Sequence, residues 1–280
     1  MGKARGVNNA SRASGAVYIS ILRCGSSREW EQSSDQVARE EPLEIRVRGQ
    51  SVAVTMRTPG HDRKLAAGFL LTEGVVRKRS EIAAIAPCRR GPEAENTLNV
   101  FLPPGAKVDF KRLTRHVFAT SSCGLCGKAT IEAVHQRFPP VTTLIKITAS
   151  IMADLPEKMR AAQLTFARTG GLHGAAVFDP KGKLLVLRED VGRHNAVDKV
   201  LGWAFLKNIP LNEKILLVSG RASFEILQKA LAGRIPIVCA VSAPSSLAVE
   251  FARESGQTLV GFLRGKTMNV YSSPERIEEG

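Results

Sequence analysis

Two thiols stand two residues apart in Thr120-Ser121-Ser122-Cys123-Gly124-Leu125-Cys126-Gly127-Lys128, among small and polar neighbours. A thiolate accepts sulfur, attacks a disulfide or binds a soft metal. The helix-compatible run Ala129 to Phe138 follows the pair. A cysteine at a loop or helix start meets exposed backbone N–H groups and the positive dipole end, and both lower its pKa. Lys128, with Arg115 or His116, adds positive charge nearby.

The residues alone leave other uses of the pair open. A structural zinc ordinarily takes four ligands, commonly from a second cysteine pair, and Cys24, Cys88 and Cys239 stand singly. A thioredoxin-like redox centre would follow an early strand in a βαβ setting, which is absent. Simple packing is the inert alternative, although buried cysteines seldom sit among Ser and Gly in a loop. Zinc nucleoside deaminases use His-x-Glu followed by Pro-Cys-x-x-Cys; here the comparable His173 precedes Gly174-Ala175, lacks the Glu and comes after the cysteines.

Three further clusters could bind a ligand. Thr169-Gly170-Gly171-Leu172-His173-Gly174 and Arg188-Glu189-Asp190-Val191-Gly192-Arg193-His194-Asn195 are polar, Gly-punctuated and next to strand ends, where α/β sheets keep their binding crevice. His173 could equally be a satisfied structural histidine, and Asp190 and Asn195 helix caps. Ser219-Gly220-Arg221-Ala222-Ser223 lies at a strand-to-helix junction, where backbone N–H groups and Arg221 could hold a phosphate. It lacks a full Walker or Rossmann fingerprint. Gly261-Phe262-Leu263-Arg264-Gly265-Lys266-Thr267 puts two cations on a Gly-containing turn, which is also what an ordinary basic hairpin looks like.

These residues need elements to place them. Residues 1–38, rich in Ser, Gly, Asn and Arg, read as a basic, partly disordered tail, with structure beginning at Pro42. A small α+β domain is expected over 39–148, carrying the Cys-x-x-Cys loop. It holds a hairpin from Leu43–Val47 and Val52–Met56, a helix from Asp62 to Leu71 ended by Gly74, and a strand from Leu98 to Leu102. An α/β domain is expected over 149–273, with a C-terminal tail at 274–280. It opens with one long helix, Met152 to Ala167, and two strands joined by Asp179-Pro180-Lys181-Gly182. Helices and strands then alternate, with Val197, Val200, Leu201, Ala204 and Phe205 at helical spacing, which predicts a largely parallel sheet covered by helices.

Composition narrows the function classes. A net charge of +14 and a pI near 10.0 favour encounters with polyanions. Lys and Arg are nevertheless scattered, without long runs and with few aromatics to stack bases, so nucleic acid is not the expected partner. An odd five cysteines in 280 residues argue against a secreted disulfide framework and for a reducing cytoplasm. The basic start followed by Ala16 to Leu22 loosely mimics a signal peptide, but its apolar part is short and lacks a cleavage pattern. No apolar run nears the ~20 residues that span a bilayer.

Taken together, the motifs resemble the formate dehydrogenase accessory sulfurtransferase family, FdhD, from about Pro42 to Tyr271. Those that carry the likeness are Thr58-Pro59-Gly60, Ala67 to Gly74, the Ser-Ser-Cys-Gly-Leu-Cys-Gly loop, Thr169 to His173, Arg188 to Lys199, Ser219 to Glu225 and Val241 to Ala248. The resemblance implies a cytoplasmic homodimer whose C-terminal half has a cytidine-deaminase-like α/β fold without the deaminase zinc, hence no stoichiometric zinc. It implies that a cysteine desulfurase passes sulfur to Cys123, which carries it as a persulfide, with Cys126 as the second cysteine of the pair. The sulfur then goes to the molybdenum (or tungsten) bis-molybdopterin guanine dinucleotide cofactor before its insertion into the formate dehydrogenase catalytic subunit. Phe262, Leu263, Arg264, Gly265, Lys266 and Thr267 match the stretch associated with cofactor binding, and His173, Arg193 and Arg221 are the other candidates for that pocket. A non-enzymatic thiol- or metal-dependent assembly scaffold is the alternative class.

Overall fold

The computed structural model describes residues 15–26, 28–88, 94–106, 108, 110, 134, 135 and 137–280. Cys123 and Cys126, with Arg115, His116 and Lys128, lie outside the described residues.

Order begins well before Pro42. Ala16–Cys24 (β1) and Trp30–Ala38 (β2) pair antiparallel over their full length, so part of the expected tail is a hairpin. Its strand-forming content is the β-branched and aromatic run Val17-Tyr18-Ile19, masked in composition by the Ser and Arg around it. The chain then enters a four-stranded sheet of Glu41–Val47 (β3), Gln50–Arg57 (β4), Ala84–Pro87 (β5) and Thr97–Phe101 (β6), in the order β4-β3-β6-β5. Alternation in β3 buries Leu43, Ile45 and Val47 completely, under the helix Asp62–Thr72 (α1) and its Leu65 and Leu70. The helix stops at Gly74, whose φ of 69° suits glycine.

The C-terminal half opens with Ile147–Thr148 (β7), Ala149–Ala162 (α2) and Leu164–Thr169 (α3). The single helix expected over 152–167 is therefore two. Gln163 breaks it at ψ 71°, and the Glu189 carboxylate accepts from Thr165 N (3.1 Å) and Phe166 N (2.7 Å), capping the second helix from a distance in sequence. There follow His173–Phe178 (β8), Leu184–Asp190 (β9), Arg193–Leu206 (α4), Ile215–Val218 (β10), Phe224–Ala232 (α5), Ile237–Ala240 (β11), Ser246–Glu254 (α6), Thr258–Arg264 (β12) and Thr267–Ser272 (β13).

The strands form one sheet in the order β13-β12-β11-β10-β8-β9. Only β10, β11 and β12 run parallel to one another; β8, β9 and β13 pair antiparallel, so the sheet is mixed, not largely parallel. The reason is local: turns at Gly182 (φ 73°) and Gly265 (φ 57°) close hairpins, while helical crossovers connect the parallel strands. Ala175, Val177, Leu216 and Val218 face a core shared with α4, α5 and α6, and Ala176, Phe178, Ile215 and Leu217 face Met152 and Leu155 of α2. Helices thus cover both sides. The last residues are held as well, since Ile277–Glu278 (β14) pairs with β7 and buried Arg276 donates to Thr143 O (2.8 Å) and Thr258 Oγ1 (3.0 Å). No helix among the described residues is long and apolar enough to cross a membrane.

The N-terminal sheet and the C-terminal sheet share one core, which includes Leu43 and Leu65 together with Val197 and Ile226. Its centre is the contact of α1 with α4. A Cβ built on Gly68 would stand 1.9 Å from Asp198 O, and one on Gly202 1.8 Å from Lys64 O, so these backbones touch where only glycine fits. Two buried ion pairs flank the contact: Lys199 Nζ to Asp190 Oδ2 at 2.6 Å, and Lys229 Nζ to Asp198 Oδ2 at 2.8 Å.

Candidate functional site

The parallel strands β10, β11 and β12 all point their carboxyl ends the same way, and β8, which runs against β10, begins at that end. The loops there hold one another. Ser219 N donates to Gly174 O (2.9 Å) and Gly174 N to Ser219 Oγ (2.8 Å); Ala222 N donates to Ala243 O (3.2 Å), Ser245 N to Ala222 O (3.0 Å) and Phe262 N to Ser242 O (3.1 Å). His173, Arg193, Arg221 and the turn at Phe262–Thr267, far apart in sequence, are thereby brought to one end of the sheet. The N-termini of α4, α5 and α6 open there too. Ser245 caps α6 by accepting from Ala248 N (3.3 Å), whereas the start of α4 has no side-chain cap, leaving first-turn N–H groups for an anion; at the start of α5 the Glu225 carboxylate already accepts a backbone N–H.

The charges at this end suit an anion as well. Burial holds the His173 imidazole below its ordinary pKa, and Arg193 beside it acts in the same sense against Asp190. A Cβ on Gly220 would lie 3.4 Å from His173 Nδ1, so the glycine lets the loop pass close to the ring. Arg221, Arg264 and Lys266 are exposed. Phe262 adopts φ 51°, unusual outside glycine, at a register shift in β12, and the Arg264 guanidinium lies 5.4 Å from the centre of its ring. Thr267 Oγ1 donates to Arg264 O (3.1 Å) and closes the turn. Leu263 is different from its neighbours: its side chain is fully buried against the α2-side core and supports the turn from within.

Behind Arg193 the structure has a cleft of about 360 Å³ between β3–β4, α1, α4 and α5, which the motif reading did not single out. Phe69, Glu73, His194, Glu225 and Gln228 are among its walls. The His194 pKa is pushed down to about 4, by burial first and then by Arg193 and Lys229, so the ring is neutral at pH 7. Burial raises the Glu225 pKa, but the Ser223 hydroxyl, a backbone N–H, His194 and Arg193 outweigh it and hold the carboxyl below its usual range. His194 stood beside Arg193 in the sequence, yet nothing there marked it as facing a cleft.

Of the thiols within the described residues, Cys24 is exposed, Cys88 is partly covered, and burial pushes Cys239 up to about 12, which makes it inert. No cluster of three or more metal-ligating side chains occurs among the described residues. The sequence profile of the FdhD/NarQ family matches residues 38–278. The chain belongs to the FdhD/NarQ family. Relatives named sulfur carrier protein FdhD from Mycobacterium tuberculosis and from Thermoplasma volcanium are 53% and 42% identical, over 88% and 96% of this chain and 95% and 98% of theirs. The crystal structure of a protein described as a formate dehydrogenase accessory protein, from Desulfotalea psychrophila, superposes with a TM-score of 0.75 at 26% identity, covering 94% of this chain and 99% of that one. The FdhD/NarQ match takes in the cysteine pair, both buried ion pairs and the sheet-end loops, and starts where the β1–β2 hairpin ends.

Proposed function

We propose that this FdhD/NarQ chain is a sulfur carrier serving formate dehydrogenase, loaded at Cys123 and delivering to the molybdenum (or tungsten) bis-molybdopterin guanine dinucleotide cofactor as its substrate. The observation that carries the reading is the combination, within one family match, of the Cys123-x-x-Cys126 pair and a cationic sheet end with the uncapped start of α4. A cysteine desulfurase holds its sulfur as a persulfide. The Cys123 thiolate attacks the outer sulfur, a new S–S bond forms on Cys123, the donor's S–S bond breaks and the donor cysteine leaves as a thiolate. Cys126 can take the same sulfur by a second exchange, which returns Cys123 to the thiolate. The substrate's diphosphates match Arg264, Lys266, Arg221 and Arg193, because charge-assisted contacts to phosphate are roughly twice as strong as neutral ones.

Mass spectrometry after incubation with a cysteine desulfurase and cysteine is expected to show a gain of about 32 Da, one sulfur atom, in the wild type and none in Cys123→Ala. Equal loading of the variant removes Cys123 from the assignment. Elemental analysis of the same sample is expected to find no stoichiometric zinc; one zinc per chain, lost in Cys123→Ser, would replace the carrier by a metal-dependent scaffold.

GDP, which carries half of one cofactor tail, tests the sheet end by calorimetry. Binding is expected to weaken with salt, and Arg264→Ala and Lys266→Ala each to cost about tenfold in affinity, corresponding to ~1.4 kcal/mol. Undiminished binding by the double variant would move the phosphate site to His173, Arg193 and Arg221.

A further inference from the structure

The cleft behind Arg193 has no part in the sulfur-carrier reading, yet it is built as a binding site. Its volume of about 360 Å³ falls at the small end of the roughly 300–1,000 Å³ of small-molecule pockets. The floor is electrically closed. Lys229 Nζ donates to Asp198 Oδ1 (2.9 Å), Asp198 Oδ2 (2.8 Å) and Thr72 Oγ1 (3.0 Å), so neither charge of that pair is left for a ligand. Buried Ile45 and Leu65 and the partly buried Phe69 ring make an apolar wall beside it. The rest of the lining is open. Arg193 Nε and His194 Nε2 are buried and have no hydrogen-bond partner among the described residues, a state that costs free energy until a partner arrives. Glu225, across from them on α5, carries its charge at neutral pH and meets the Ser223 hydroxyl and a backbone N–H, but a carboxylate has acceptor capacity beyond these two. His194 Nε2 lies 4.0 Å from Glu225 Oε2 and, being neutral at pH 7, does not cancel that charge.

We propose that this cleft binds a free α-amino acid with an apolar side chain, its carboxylate on Arg193, its ammonium on Glu225 and its side chain against Phe69 and Leu65. Arg193 and Glu225 feel each other's charge across the cleft but do not close into an ion pair. A ligand of one sign would gain from one of them and be repelled by the other, whereas a dipolar ligand gains from both. The two residues stand at the starts of neighbouring helices, so the ligand's charges must lie close together, as they do on a single α-carbon. A guanidinium takes a carboxylate through two parallel bonds, and Arg193 Nε–H can supply one of them. Glu73 and Gln228, also in the lining, add acceptors for the ammonium. The neutral His194 ring donates to the carboxylate or accepts from the ammonium, according to its tautomer. The apolar wall selects the side chain, since a charged one would lose its water there without a partner. The inference does not rest on sulfur carriage.

The test is calorimetry on the full chain with L-leucine and two analogues that each lack one charge, 4-methylpentanoate without the ammonium and 3-methylbutylamine without the carboxylate. Leucine is expected to bind with a Kd below about 1 mM, and each analogue at least about tenfold more weakly. Glu225→Gln should cost leucine about tenfold and leave 4-methylpentanoate unchanged, because only leucine presents an ammonium to residue 225. Arg193→Gln should likewise weaken leucine and leave 3-methylbutylamine unchanged. Both side chains are partly exposed at helix starts, so both variants should keep the wild-type melting temperature. Absence of binding at millimolar leucine overturns the proposal. So does equal binding of leucine and either analogue, which would mark a site for one charge only, or a leucine affinity that survives both substitutions.

Discussion

Lys199→Met is expected to lower the free energy of unfolding by about 3–5 kcal/mol, the usual effect of removing one member of a buried ion pair. Asp190 is 0% and Lys199 1% accessible, so neither charge has water to fall back on. Burial pulls the Lys199 pKa down and the Asp190 carboxylate opposes it, so the ammonium depends on its partner to stay charged. The ammonium also donates to Thr58 O at 2.8 Å, tying Thr58-Pro59-Gly60 to α4. On the other side, Asp190 accepts from Gly192 N (2.8 Å) and Asn195 Nδ2 (3.1 Å), which shapes the turn into α4 and aims Arg193. The substitution should consequently weaken GDP binding as well, although Lys199 is buried away from the exposed end. Urea unfolding with an unchanged m-value measures the first effect. In Asp190→Asn/Lys199→Met the loss should be smaller than the sum of the single losses; strict additivity, or a single loss below ~1 kcal/mol, would show that the pair is not coupled.

Gly202→Ala is expected to destabilise by about 3 kcal/mol or more, and here the sign is informative. In an exposed helix the same change would gain nearly 1 kcal/mol through propensity. In α4 the new methyl would sit 1.8 Å from Lys64 O and 2.7 Å from Gly68 N, both backbone atoms that no rotamer change can move. Relief requires α1 and α4 to separate, and overpacking of that kind commonly costs 1–3 kcal/mol even where side chains can yield. Gly68→Ala meets the Asp198 backbone in the same way and should behave alike. Thermal unfolding of both variants checks this. A melting temperature equal to or above that of the wild type would mean that the two helices are not held in contact.

Most elements from β3 onward were legible because their apolar spacing is regular, as in β10 or in Val197, Val200 and Leu201 of α4. The strand pairing was less so, since alternation of helices and strands reports the elements but not which neighbours run antiparallel. The hairpin at Ala16–Ala38 was hidden because both its faces are exposed and no alternation reaches a core. The charges in α4 give no sign in the sequence of where they lie. Asp198 and Lys199 look like the solvated face of an amphipathic helix, but Asn195 through Gly202 are all buried, because α1 covers one side and the sheet the other. The rule that α/β crevices form at strand ends pointed to His173, Arg193 and Arg221, and the topology does gather them at one end of the sheet. The burial of the Leu263 side chain was not legible in the sequence, because the register shift between Gly261 and Arg264 interrupts the alternation of β12.

The contact of α1 with α4 also bears on how such a protein can be recombined. Gly68, Thr72 and Thr58 lie in the first half of the chain, and their partners Gly202, Asp198, Lys199 and Lys229 in the second. A chimera that crosses over between residues 149 and 190 would join halves shaped in different lineages and face mismatches of steric fit and of buried charge at once. Crossovers that keep Glu41–Lys229 as one inherited block, exchanging the hairpin or the last strands instead, leave every one of these contacts with its native mate.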